Sequence, residues 1–298
     1  MSQKCGFVAL IGPPNAGKST LVNHLVGQKV TIVTQKAQTT RMRVRGVMMH
    51  DASQIILVDT PGVFKPNQRL DRHMVREAWS GAHDADCVLA LFDVRHLEKP
   101  ETQLVLDGMA RLSAPVFIAL NKIDRMPRSE LLALIDGFRS RVSDCEIFLI
   151  SALKGDGVSS LAERLSATMP EGPWLYSPDQ AADIPSQLLA AEITREQLFL
   201  NLHQELPYAL TVETDSWKRQ KDGSVRIEQT IYVQRDGQKG IILGKGGETI
   251  KKLGAQARHE MESNFEHRVH LFLFVKVRAN WMEDPARYQA MGIDPAEG

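Results

Sequence analysis

The sequence has no apolar run near the ~20 residues that a membrane-spanning helix needs, so nothing in it reads as a helical membrane span. The apolar run at residues 7–11 is too short for the core of a signal peptide and leads straight into a glycine-rich loop. It is expected to be a strand. Cysteine is scarce. Cys5, Cys87 and Cys145 lack metal-ligand spacing, and an odd, sparse set fits a reducing cytosol better than a disulfide framework. Cys87 falls in an apolar strand pattern and is expected in a core. Neither sign of charge dominates, with 36 Lys and Arg against 36 Asp and Glu. Bulk charge therefore argues neither for nor against a nucleic-acid partner, and only local clustering decides.

Several short stretches carry the chemistry. Gly12-Pro13-Pro14-Asn15-Ala16-Gly17-Lys18-Ser19, followed by Thr20, is a phosphate-loop pattern between an apolar run and a helical one. Its glycines let backbone N–H groups curl around phosphates, and the helix that follows presents its positive end. Lys18 is expected at the β/γ-phosphates and Ser19 at Mg²⁺. Asp59-Thr60-Pro61-Gly62 ends the apolar run 54–58. Asp59 suits the surroundings of the magnesium, and the Gly62 N–H can respond to the γ-phosphate. Between these stretches, Gln38-Thr39-Thr40-Arg41 offers hydroxyls for the metal, with Thr40 preferred and Thr39 in reserve. Asn121-Lys122-Ile123-Asp124 follows the run 116–120. A carboxylate there accepts from the N1–H and 2-amino group of guanine, and adenine lacks that donor pair. Ser151-Ala152-Leu153, after 147–150, is placed to buttress the base. Lys18, Thr40 and Gly62 are the expected catalytic residues. Val63 stands where many small GTPases carry a glutamine that orients the attacking water, so slow intrinsic turnover is expected. Asn15 either helps hold a potassium ion beside the phosphates or only shapes the loop.

Through residue 172, apolar runs at 7–11, 43–49, 54–58, 87–93, 116–120 and 147–150 alternate with helix-like segments. The pattern predicts a doubly wound α/β sheet, with nucleotide loops at the carboxyl ends of its strands. Residues 173–185 are proline-rich without a period and read as a linker. No second phosphate loop follows, which excludes a tandem repeat of the first domain. Residues 186–284 read as a small α+β unit, with Ser186 capping a first helix, strands at 208–214, 225–234 and 270–277, and a charged loop at 217–223. Residues 285–298 read as a tail. Within the second unit, Gly244-Lys245-Gly246-Gly247 matches the G-x-x-G loop that clamps about four nucleotides in a KH domain. Lys245, Lys251 and Lys252 are its expected phosphate partners, with Arg258 nearby. Ile241, Ile242, Leu243 and Ile250 are the expected walls of a groove for unstacked bases.

Taken together, these motifs resemble the Era family of bacterial GTPases over almost the whole chain. Lys36-Ala37-Gln38-Thr39-Thr40-Arg41, Glu205-Leu206-Pro207-Tyr208 and Gly237-Gln238-Lys239 narrow the resemblance beyond GTPases at large. Pro13 and Ala16 depart from it, standing where arginine and valine are usual. The resemblance implies a P-loop GTPase domain followed by a type II KH domain. It implies a GTP/GDP switch with Mg²⁺, binding single-stranded small-subunit rRNA near its 3′ end and assisting maturation of a 30S-type subunit. It also implies a cytoplasmic monomer with peripheral contact at the inner membrane. Asn15 resembles its counterpart in potassium-dependent relatives. The alternative is a GTPase that acts on a protein or membrane target through its C-terminal module. A vestigial nucleotide site and a P-loop kinase are disfavoured by the intact Lys18, Ser19, Asp59 and Asp124 set and by Asn121-Lys122-Ile123-Asp124.

Overall fold

A computed structural model describes residues 2–36, 38–142 and 145–284. Ala37, within the stretch that narrows the resemblance, and the expected tail 285–298 lie outside the described residues. The chain divides into two compact units between Asp183 and Ile184.

The first unit is built from β1 (Lys4–Ile11), α1 (Lys18–Val26), β2 (Val44–His50), β3 (Ser53–Asp59), α2 (Arg69–His83), β4 (Cys87–Asp93), α3 (Pro100–Met109), β5 (Val116–Asn121), α4 (Arg128–Arg139), β6 (Glu146–Ile150), α5 (Val158–Thr168) and β7 (Ala182–Asp183). Its sheet runs β6-β5-β4-β1-β3-β2-β7. Every pair is parallel except β2 with β3 and β2 with β7. All residues of β3 and β4 are buried. That is why these strands read as unbroken apolar runs: helices cover both faces and neither side meets water. One core packs β1, β3 and β4 against α1 and α5, and a second packs the other face against α2, α3 and α4. Cys87 lies in the first core, and burial pushes its thiol up to about 12. β1 sits between β3 and β4, so the strand order reverses there. Ligands bind at such a switch point, outside the carboxyl ends of the strands.

Of residues 173–185, expected as a linker, those through Asp183 are instead fastened to the first unit, and Ile184 and Pro185 open the second. Gln54 is fully buried on β3. Its amide donates to Tyr176 O at 2.8 Å, and its carbonyl accepts from Leu175 N and Tyr176 N at 2.8 and 3.0 Å. Trp174 Nε1 donates to Ala52 O at 3.1 Å. The segment ends as β7, which covers the outer edge of β2. It shows no period because separate hydrogen bonds hold it, those to Gln54 satisfying a buried amide.

The second unit holds α6 (Ser186–Asn201), β8 (Leu210–Arg219), β9 (Val225–Val233), α7 (Asp236–Leu243), α8 (Glu248–Phe265) and β10 (Val269–Val277). Its sheet runs β10-β9-β8, parallel between β9 and β10 and antiparallel between β8 and β9. Pro185, not Ser186, occupies the N-cap of α6, as its fixed φ favours a helix start. The loop expected at 217–223 shrinks to the turn around Gly223, because Trp217, Lys218 and Arg219 continue β8. A register shift between Thr214 and Ser216 turns Trp217 to the helix-covered side, where its ring meets Phe265 edge-on at 5.4 Å. No helix among the described residues is long and apolar enough to cross a membrane.

Candidate nucleotide site and nucleic-acid loop

The loop from β1 to α1 adopts a backbone that few residues tolerate. Gly12 and Gly17 have φ of +153° and +104°. A Cβ on either would meet Leu91 O or Asn121 Nδ2 at 2.2 Å. Asn15, at φ +62°, takes a left-handed conformation that asparagine bears better than most residues, and its amide donates to Gln35 O at 2.8 Å. No side chain caps α1, which leaves the first-turn N–H groups available to an anion. Lys18 is buried, and its ammonium donates to Gly12 O and Pro13 O at 3.0 and 3.1 Å. Burial lowers its pKa to about 8, against the opposing pull of Asp59. Ala16 is buried in the first core.

Asp59 is fully buried. Its Oδ2 accepts from Ser19 at 2.7 Å, Thr31 at 3.0 Å and Thr40 at 3.3 Å, and Ser19 and Thr40 lie 3.0 Å apart. Burial raises its pKa, while the Ser19 hydrogen bond and the Lys18 charge work the other way. Its Oδ1 has no hydrogen-bond partner among the described residues. Two hydroxyls, a carboxylate and an orphaned carboxylate oxygen are hard donors, and they fit Mg²⁺. Of the two threonines, Thr40 reaches this cluster, whereas Thr39 Oγ1 donates to Lys36 O at 2.7 Å and closes a local turn.

The next segment is zipped to the phosphate loop. Val63 N donates to Gly12 O at 3.0 Å. A Cβ on Gly62 would lie 2.9 Å from Pro14 Cα. The Thr60 hydroxyl turns inward to Leu10 O at 2.6 Å, so Thr60 and Pro61 carry the chain from β3 to Gly62 without presenting that hydroxyl. The Val63 side chain is buried in the second core.

On the base side, Asn121 joins two loops. Its amide donates to Ala16 O at 2.8 Å and its carbonyl accepts from Ala152 N at 2.9 Å. Asp124 accepts from the Ser151 hydroxyl at 2.8 Å and faces Arg125 at 3.4 Å. Ser151 is fully buried, Ile123 packs against the second core, and Leu153 is exposed. Lys122, at φ +68°, donates to Asn15 O at 2.5 Å and pairs with Asp93 at 3.0 Å. Burial alone would push the Asp93 carboxyl up, but hydrogen bonds from Arg95 and Lys122 hold it well below the usual carboxylate range. Sequence reasoning missed Thr31, Asp93 and Arg95. Asp93 carried a usable signal: it ends an apolar strand at the same sheet edge as Asp59 and Asn121.

In the second unit, Gly244, Gly246 and Gly247 all have positive φ and join α7 to α8. A Cβ on Gly244 would meet Thr249 Oγ1 at 2.1 Å, whereas Gly246 and Gly247 face open space. Lys245, Lys251 and Lys252 are exposed. Arg258 is paired with Glu262 at 3.1 Å. Ile241 is exposed and Ile250 is half-buried. Ile242 does not line a groove: it is fully buried in the core. Consecutive residues of a helix point about 100° apart, so α7 turns Ile241 out and Ile242 in.

The chain is similar to known proteins over almost its whole length. A family described as "50S ribosome-binding GTPase" matches residues 7–122, and a KH domain family matches residues 205–282. A protein named GTPase Era from Afipia carboxidovorans is 56% identical over 98% of this chain and 94% of its own length. One of the same name from Rhizobium meliloti is 54% identical, with coverage of 98% and 93%. A crystal structure of Aquifex aeolicus Era bound to GDP·AlF4⁻ superposes with a TM-score of 0.93 at 37% identity, covering 98% of this chain and 100% of that one. A crystal structure of Era in complex with MgGDPNP and nucleotides 1506–1542 of 16S ribosomal RNA matches with the same TM-score and identity, covering 98% and 99%.

Proposed function

The chain belongs to the Era family of GTPases, and we propose that it is a GTP/GDP switch that holds single-stranded small-subunit rRNA near its 3′ end and assists maturation of the small ribosomal subunit. One observation carries the reading: the phosphate-loop, Asp59 and Asn121–Asp124 motifs and a positive-φ G-x-x-G loop occur in a single chain similar to Era proteins over 98% of its length.

In this reading the backbone of residues 12–17, with Thr20 behind it, cradles the phosphates. Lys18 exchanges its two carbonyl acceptors for β/γ-phosphate oxygens. Ser19 and Thr40 hold Mg²⁺ with Asp59 behind them, and the metal when bound neutralises charge on the transferring phosphoryl group. The Gly62 N–H reports the γ-phosphate to the segment beyond it. Asp124 accepts from guanine, with Asn121 and the Ser151–Ala152 backbone fixing its position. Val63 has no polar group, and its side chain is in the core, so the attacking water is placed by backbone, by another group or by a partner. Potassium beside Asn15 is part of the reading, and equal hydrolysis rates in sodium and potassium buffers would end it. The loop-shaping role of Asn15 has its own support in the Gln35 hydrogen bond.

Lys245, Lys251 and Lys252 meet the RNA backbone at Gly244–Gly247, and Ile241 and Ile250 offer apolar surface to bases. The 30S-type particle, the cytoplasm and peripheral contact at the inner membrane belong to this reading through the family resemblance alone. Flotation with anionic lipid vesicles tests the last of these. Crosslinking in cells with GTP loaded, followed by sequencing of the bound RNA, tests the whole. Reads piled on the 3′ end of small-subunit rRNA are expected. Reads spread without preference would favour a protein or membrane target.

A further inference from the structure

The helices of the second unit cover one face of its sheet, and the other face, closed at Thr211, Thr230 and Tyr232, carries an exposed pair of aromatic rings on its edge strand. Along β10, Leu271 and Leu273 pack into the cores beneath the helices. Phe272 and Phe274 alternate to the opposite face and are 41% and 50% exposed. The register sets His270 beside Arg226, Phe272 beside Glu228 and Phe274 beside Thr230. On the far side of β9, Lys218 stands beside Arg226. The Arg226 guanidinium lies over the Phe272 ring at 4.3 Å and is steadied by Glu228 at 2.8 Å. An open depression of about 560 Å³ adjoins them, lined by Lys221, Asp222, Ser224, Arg226, His270 and Phe272.

We propose that the exposed part of this face, around Phe272 and Phe274, is a second contact surface for single-stranded RNA, separate from the Gly244–Gly247 loop. Unpaired bases stack on Phe274 and on the Arg226–Phe272 pair, while Lys218, Lys221 and Lys276 meet phosphates. Rings at alternate positions of an exposed strand, roughly 7 Å apart, form the kind of platform on which sheet-based RNA readers stack bases, and arginine planes serve as well as rings. Cations outnumber acids around the rings, Lys218, Lys221, Arg226 and Lys276 against Asp215, Asp222 and Glu228, and Glu228 is engaged by Arg226. Lys218, Lys221 and Lys276 are exposed and can meet an anionic chain. A protein partner would need an interface of about 1,000 Å² or more, and two rings among cations supply little of the apolar centre such an interface has. The proposal extends the RNA reading of the second unit but does not depend on the glycine loop.

The test uses the full chain and an unstructured 30-nucleotide oligoribonucleotide containing 4-thiouridine. Affinity is read by anisotropy, and crosslinked peptides by mass spectrometry. Phe272→Ser/Phe274→Ser should weaken binding at least ~10-fold. Crosslinks to residues 269–277 should persist in Lys245→Asp/Gly246→Asp. Lys218→Glu/Lys276→Glu should weaken binding as well, which keeps the test decisive if the serine variant misfolds. Parent-like affinity of the sheet-face variants, with crosslinks confined to residues 236–265, would overturn the proposal and leave the loop reading standing. Failure of the parent to bind any RNA would overturn both. Concentration-dependent dimers lost only in the phenylalanine variant, with RNA affinity unchanged, would make the face a contact between copies and overturn the RNA assignment.

Discussion

The two glycine-rich loops of this chain solve opposite problems. The phosphate loop is braced by its neighbours: Gly12 and Gly17 sit against Leu91 and Asn121, Asn121 reaches Ala16, and Lys122 reaches Asn15. The Gly244–Gly247 loop stands open, with nothing near Gly246 or Gly247 and with Lys245 exposed. A site for one small, highly charged ligand gains from donors fixed in advance, because little reorganisation remains when the ligand arrives. A clamp for a flexible strand needs close backbone approach and surface cations. Changes in the first loop region should therefore act sharply and through charge state or fold, and changes in the second should act on RNA alone.

The sharpest way to probe the first region is Asp124→Asn. An amide in place of the carboxylate fits xanthine better than guanine, so preference should move from GTP to XTP by ~100-fold or more. Parent-like preference in competition binding would remove the guanine assignment.

Next in size is a dependence on pH. The empty protein holds Lys18 at a pKa of about 8, below the ordinary lysine value. Between those two values the unfolded chain binds more protons, so this handicap to stability is relieved as pH rises. Nucleotide phosphates favour the charged lysine, so binding takes up a proton above pH 8. Affinity for a fluorescent GDP analogue should be flat from pH 7 to 8 and then fall by up to about tenfold per unit. The same slope in Lys18→Met would place its origin elsewhere.

The smallest effect on function belongs to Val63→Ala. The side chain lies in the core, so the variant should lose about 2 kcal/mol of stability in denaturant melts while turnover at low temperature changes by no more than a few-fold. A collapse of turnover in a folded variant would give Val63 a catalytic duty that its chemistry does not suggest.

Much of this contrast was legible in the sequence. The runs at 54–58 and 87–93 mark their strands because a sheet covered on both faces favours apolar side chains there, and each nucleotide motif falls just beyond a strand. The positive-φ glycines of both loops were legible for a similar reason: a backbone that excludes Cβ must be written in glycine. What escaped depends on partners distant in sequence. Residues 173–185 look like a linker until Gln54, more than a hundred positions away, is seen to hold them. Trp217 looks like loop because its charged neighbours hide a bulge that turns it inward. Ile242 and Ile241 are indistinguishable as letters, and only the packing of α7 decides which is buried. Asp93 anchors Lys122 across two strands, a pairing that no local pattern announces.

The account stands most directly on one titration: the full chain and its Lys245→Asp/Gly246→Asp variant, each measured against a 3′ fragment of small-subunit rRNA and, in parallel, against GTP. Two carboxylates in the phosphate track and a stiffened turn should weaken RNA binding at least ~10-fold at moderate salt, with GTP affinity unchanged. RNA bound as tightly as by the parent, in a variant whose circular dichroism shows it folded, would reduce Gly244–Gly247 to a turn and contradict the pairing of a nucleotide switch with an RNA clamp at that loop.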